Sequence, residues 1–97
     1  MKGNKMKVKN LISLRSKKPV ANQFIIEYQN HSYFQSYESV IAHVDWQNPN
    51  KVELDEKFWN YSKTTSKYRN QFLGETTKET QAKINNGKYI LTNLNEV

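Results

Sequence analysis

The stretch from Lys57 to Leu73 gathers the residue types that could do chemistry in this chain. Lys57, Lys63, Lys67 and Arg69 supply four bases and no acid, interleaved with Phe58, Trp59, Tyr61, Tyr68 and Phe72. Single-stranded nucleic acid suits this mixture, because cations track phosphates while rings stack bases. Helical arithmetic sorts the residues. Thr65, Tyr68 and Phe72 project together and read as core, while Ser66, Lys67, Asn70 and Gln71 form the outward face. Arg69 falls near the Tyr68–Phe72 face. There it is expected to snorkel, to pair with Glu53, Asp55 or Glu56, or to reach a partner, with structural pairing preferred.

A second basic set opens the chain. Lys2, Lys5, Lys7, Lys9, Arg15, Lys17 and Lys18 make seven of the fifteen bases in the first eighteen positions, with no acid among them. The other residues hold eight bases against nine acids, a balance of −1, so the net +6 is an N-terminal property. Such an arm points to a phosphate-rich partner or an acidic protein surface. The bland reading is a solvated tail, since thirteen Lys and twelve Asn are also what an AT-rich genome yields.

Catalytic constellations are missing. His31 and His43 have no partner at metal-ligand spacing, and three glycines leave no glycine-rich phosphate loop. His43 falls on the strand face opposite Val40, Ala42 and Val44 and reads as an ordinary solvent-side residue. Glu53, Asp55 and Glu56 could hold a hard cation, but such a cluster is more often a solvated strand end. No catalytic residue, metal or cofactor is expected. The absence of cysteine excludes a disulfide framework, a thiolate zinc site and a cysteine nucleophile. The longest apolar runs are three residues, such as Phe24-Ile25-Ile26, which excludes a transmembrane helix or signal peptide and makes the cytoplasm the expected location.

Ninety-seven residues suffice for one small domain. Residues 1–19 are expected as a basic arm, in which Val8, Leu11, Ile12 and Leu14 could form a short strand, and residues 20–97 as the domain. Phe24, Ile26 and Tyr28 alternate with Gln23, Glu27 and Gln29, which predicts a strand. Ser32–Tyr37, Val40–Trp46 and Val52–Leu54 predict three more, the last two separated by the loop signal Gln47-Asn48-Pro49-Asn50. Thr64 or Thr65 can cap a helix that Gly74 ends. Thr76-Thr77-Lys78-Glu79 fits a capping box, opening a second helix that Asn86-Gly87 closes. Strand character returns over Lys88–Leu94. The predicted class is α+β, an antiparallel sheet of about four to five strands with two short helices before the last strand.

Two phrases carry a resemblance. Tyr33-Phe34-Gln35-Ser36-Tyr37-Glu38-Ser39-Val40-Ile41-Ala42 and Tyr61–Gly74 resemble the "SYxSxIA" and "YSxTTxKxxxxFLG" phrases of a family of short proteins encoded by phages, prophages and conjugative elements. The resemblance spans roughly residues 20–94. It implies a setting in which small cofactor-free proteins interfere with host machinery, CRISPR nucleases included. The functional expectation is a non-enzymatic counter-defence protein of anti-CRISPR type. It would bind an RNA-guided nuclease or its guide RNA, with the basic arm on phosphates and Lys63, Lys67 and Arg69 as a second contact patch. The alternatives are a DNA- or RNA-binding accessory protein of phage replication or gene control, and a protein-only adaptor.

Overall fold

A computed structural model describes residues 5–48 and 51–96. Eight elements follow in order: β1 (Met6–Ile12), β2 (Pro19–Tyr28), β3 (His31–Ser36), β4 (Ser39–Asp45), β5 (Val52–Asp55), α1 (Lys63–Leu73), α2 (Thr77–Asn85) and β6 (Tyr89–Thr92). The class is α+β, and one six-stranded sheet keeps the strands in chain order. β1 to β5 form an antiparallel meander, whereas β6 runs parallel to β5.

The sheet differs from the predicted one in two ways. The helix pair carries the chain back to the start of β5, so β6 must enter parallel, and the sheet is mixed. From Lys5 on, the described part of the basic segment is not an arm beside the domain. Lys7, Val8 and Lys9 pair with Glu27, Ile26 and Ile25, and Leu11 is 4% exposed in the core. Leu11 lies on the same side of β1 as Lys7 and Lys9, whereas the alternate apolar residues Met6 and Val8 are 62% and 59% exposed, so β1 enters the core through its C-terminal end.

Local chemistry sets the helix ends. The Ser62 side chain accepts from the Thr65 amide and caps α1 in place of the predicted Thr64 or Thr65, and Gly74 at φ 72 closes α1 in the left-handed conformation. Thr76 and Glu79 form the reciprocal capping box of α2. No helix among the described residues is long and apolar enough to cross a membrane.

One sheet face carries the helices. Phe34 stacks on Phe72 with centroids 5.9 Å apart, and Ser36 Oγ meets Thr65 Oγ1 at 2.9 Å. Ile41, Ala42, Val44, Val52, Leu54 and Tyr89 complete the core with Leu11 and Phe34. Tyr68 and Phe72 pack against this core half-buried rather than enclosed. Because Ile25 pairs with Phe34 and Gln23 with Ser36, those residues of β2 face the helices. Phe24, Ile26 and Tyr28 therefore lie on the other, uncovered face.

Glu75, between the helices, ties α2 to β6. Its carboxylate accepts from Lys83 Nζ at 2.6 Å, Thr80 Oγ1 at 2.6 Å and Tyr89 OH at 2.9 Å. Burial alone would raise its pKa, but these donors hold it below the ordinary 4.5. Asp55 is likewise held below 3.8: against burial, it accepts from the Leu94, Phe58 and Lys57 amides. Lys83 is raised above 10.5, chiefly by Glu75, and Tyr89 above 10.0, by burial and then by Glu75.

Two outcomes follow from this packing. Leu11→Ala should cost about 2–5 kcal/mol in thermal or urea unfolding if β1 belongs to the core, and next to nothing if it does not. The lowered carboxylates contribute stability that is present above their ordinary values and lost as pH falls through the folded ones, so the acid limb begins below about 4.5. The raised Lys83 and Tyr89 contribute stability that is lost only above about 10. Glu75→Gln should lower stability by about 1–3 kcal/mol at neutral pH and flatten the acid limb. A stability–pH curve parallel to that of the parent would refute the Glu75 assignment.

Candidate functional site

The β1–β2 hairpin and α1 both display exposed cations, and Gln71 links the two elements. Ser13 organises the turn: its Oγ accepts from the Arg15 and Ser16 amides at 3.2 Å each, and its carbonyl accepts from the Lys17 amide at 2.9 Å. The turn then closes when Ser13 N–H donates to the Lys18 carbonyl at 2.9 Å. Arg15, Lys17 and Lys18 are thus displayed from an ordered turn, all exposed. On α1, Lys63, Lys67 and Gln71 follow one another at one-turn spacing and share a face. Gln71 Nε2 donates to the Ile12 carbonyl at 2.6 Å, which docks the end of that row against β1.

Lys5, Lys7 and Lys9 lie exposed along β1. Among the described residues, none of these eight cations makes an ion pair, the pairs present being His43–Glu53 and Lys83–Glu75. Lys67 sits over the Tyr68 ring, 5.2 Å from its centroid. Lys2 lies outside the described residues.

Arg69 departs from its predicted place beside Lys63 and Lys67 on the surface. It is 0% exposed, and no carboxylate pairs with it. One guanidinium nitrogen, Nη1, donates to the Trp59 carbonyl and to Asn60 Oδ1 at 3.3 Å. The other, Nη2, donates to Asn70 Oδ1 at 2.8 Å and Thr77 Oγ1 at 2.9 Å. The guanidinium also lies over the Trp59 ring, 5.0 Å from its centroid. Burial pushes its pKa down, and the charge of Glu75 lifts it back in part. The awkward inward projection was readable from spacing. The acceptors were not, since they are carbonyl, amide and hydroxyl groups rather than Glu53, Asp55 or Glu56.

A second arrangement on the uncovered face has no counterpart in the sequence reading. The register sets Tyr33 opposite His43 and His43 opposite Glu53. His43 Nδ1 meets Glu53 Oε1 at 2.9 Å, and His43 Nε2 meets His31 Nδ1 at 2.9 Å. Tyr33 stacks on the His43 ring at 4.6 Å, leaving His43 8% exposed. His43 does face away from Ala42 and Val44, but it is covered rather than solvated. With the carboxylate accepting from Nδ1–H, Nε2 is left to accept from His31. This chain of three groups orders the middle of the open face, and no group of residues suited to a metal ion is found among the described residues.

The profile of a family of unknown function, DUF8033, matches residues 6–88. No curated protein and no solved structure matches the chain.

The geometry makes Arg69 a structural group, which gives a direct test. Lysine has one nitrogen where the guanidinium fork serves five acceptors, so Arg69→Lys leaves buried acceptors unpaired at about 1–3 kcal/mol each. The urea midpoint should fall with little change in slope. A midpoint equal to that of the parent would show that the fork is dispensable.

Proposed function

The chain belongs to the family of unknown function DUF8033, and we propose that it is a non-enzymatic binding protein that grips nucleic-acid phosphates. The observation that carries this reading is the exposed cations without ion-pair partners on the hairpin turn and on α1. Arg15, Lys17 and Lys18 would contact one stretch of backbone and Lys63 and Lys67 another. Lys5, Lys7 and Lys9 would extend the field along β1. Unpaired cations on ordered backbone attract a polyanion without first giving up an intramolecular partner.

The target proposed is a host nucleoprotein in the bacterial cytoplasm, an RNA-guided nuclease loaded with its guide, whose inhibition would make this a counter-defence protein of anti-CRISPR type. Exposed guide phosphates beside a protein surface suit a small domain that displays unpaired cations on an ordered turn and a helix. Arg69, being buried, touches no phosphate directly.

Binding to guide-loaded nuclease, or to its guide RNA alone, should weaken steeply with salt, each single-strand phosphate contributing about −0.7 to the slope of log K against log salt. The K17Q/K18Q/K67Q variant should keep the parent melting temperature, flatten that slope by about two and abolish inhibition of target cleavage. Equal affinity for bulk DNA or RNA, with cleavage undisturbed, would favour a nucleic-acid-binding accessory protein instead. Capture of a protein that survives nuclease treatment and ignores the lysine changes would overturn the phosphate reading altogether.

A further inference from the structure

The buried charge of Arg69 has an outlet. Three groups it holds, Asn60, Ser66 and Thr77, also line an open cleft of about 410 Å³ at the start of α1, together with Tyr61, Ser62 and Lys63. A guanidinium that is 0% exposed and lacks an ion-pair partner is costly to bury. Glu75, the carboxylate that acts on it, is already engaged by Lys83, Thr80 and Tyr89. The Arg69 Nε has no partner either. Asn60, Ser66 and Thr77 thus stand between this guanidinium and the cleft.

The wall is set to donate. Thr77 Oγ1 accepts from Arg69 Nη2 and from Asn70 Nδ2 at 3.0 Å, which leaves its own proton free for a ligand apart from a marginal 3.5 Å contact to Asn70. Asn60 Oδ1 accepts from Arg69 and from Ser66 Oγ at 2.6 Å, so the Asn60 amide N–H groups remain to donate. Ser62 takes the Thr65 amide on its side chain and the Ser66 amide on its carbonyl, leaving the first helical amides outside the ladder. No acid stands in the first turn of α1, and Lys63 adds a cation there. At the rim, Tyr61 is 49% exposed, and Phe58 holds its ring in an edge contact at 5.4 Å.

We infer that this cleft is a nucleotide subsite. One phosphate of a single strand sits before Lys63, Asn60 and Thr77, backed by Arg69, and the adjoining base stacks on Tyr61. The assignment rests on the nucleic-acid reading above and deepens it, since a donor pocket beside an exposed ring matches a phosphate joined to a base.

Amide NMR on the full chain tests it, with uridine, inorganic phosphate, uridine 5′-monophosphate and a short oligouridylate as probes. The monophosphate should shift the Tyr61, Ser62, Lys63 and Thr77 amides, more strongly than phosphate, while uridine leaves them still. Lys63→Gln should weaken the monophosphate several-fold, and Tyr61→Ala should weaken the oligouridylate about 5-fold or more while sparing inorganic phosphate. Melting curves equal to the parent's keep these results interpretable, and Arg69 and the Thr77 hydroxyl that holds it are left untouched for that reason. Oligouridylate affinity that falls with K17Q/K18Q/K67Q but ignores both cleft changes would overturn the subsite and leave the phosphate-binding reading standing. Inorganic phosphate bound as tightly as the monophosphate would overturn the nucleotide assignment. Cleft shifts with the monophosphate but no oligouridylate affinity would uphold the pocket and sink the wider function.

Discussion

The helical layer depends on one buried cation. The buried residues of α1 are Thr65 and Arg69, and that of α2 is Thr80. Neither helix has a broad aliphatic stripe, so its position cannot come from apolar burial alone. Arg69 joins the β5–α1 connection at Trp59 and Asn60, the body of α1 at Ser66 and Asn70, and the start of α2 at Thr77. Glu75 performs the matching task on the other side of α2, with Lys83, Thr80 and Tyr89. Two charges of opposite sign thus fix the helix pair from either end. Such a layer is sensitive to the loss of any one donor or acceptor, because buried polar networks hold only while satisfied.

The sheet under this layer is lopsided. β2 is apolar on both faces through Phe24, Ile25 and Ile26, and the helices cover only the Ile25 side. On the open side the side chains shelter one another: Tyr33 lies on His43, and His43 bridges His31 and Glu53. The parallel entry of β6 follows from the same economy of layers. Both helices stay on one face, and the chain must cross that face to reach the free edge beside β5.

Legibility in the sequence followed the range of the interactions. The capping box at Thr76 and Glu79, the glycine at Gly74 and the strand alternations are local signals, and each marked its element to within a few residues. β1 was harder, because Lys5, Lys7 and Lys9 read first as charge and only second as the polar half of an alternating strand. The covered face of β2 could not be chosen when both faces are apolar; pairing with Phe34 decides it. His31, His43 and Glu53 meet only through the register of three strands, which no spacing along the chain reveals. For Arg69 the inward direction was legible, but its partners come from loops whose course depends on the fold itself.

The cations do not all argue equally for function. Lysines on β1 have a sufficient structural reason, because an outermost strand needs charge to discourage pairing with another chain. Lys7 also has Glu27 as its cross-strand neighbour. Neither reason reaches Arg15, Lys17 and Lys18, which lie in the turn beyond the strands, where Lys17 holds φ 63. Nor does it reach Lys63, which sits in the first turn of α1, where the helix dipole disfavours a cation. The contrast lies within the same molecule: α2 places Glu79 in its first turn and Lys83 in its last, as the dipole prefers. A cation kept at a helix N-terminus, with a second buried behind it, costs the fold stability in isolation, and an anionic ligand at that end would remove the cost. The functional argument therefore rests on the hairpin turn and the start of α1, not on the total charge of the chain.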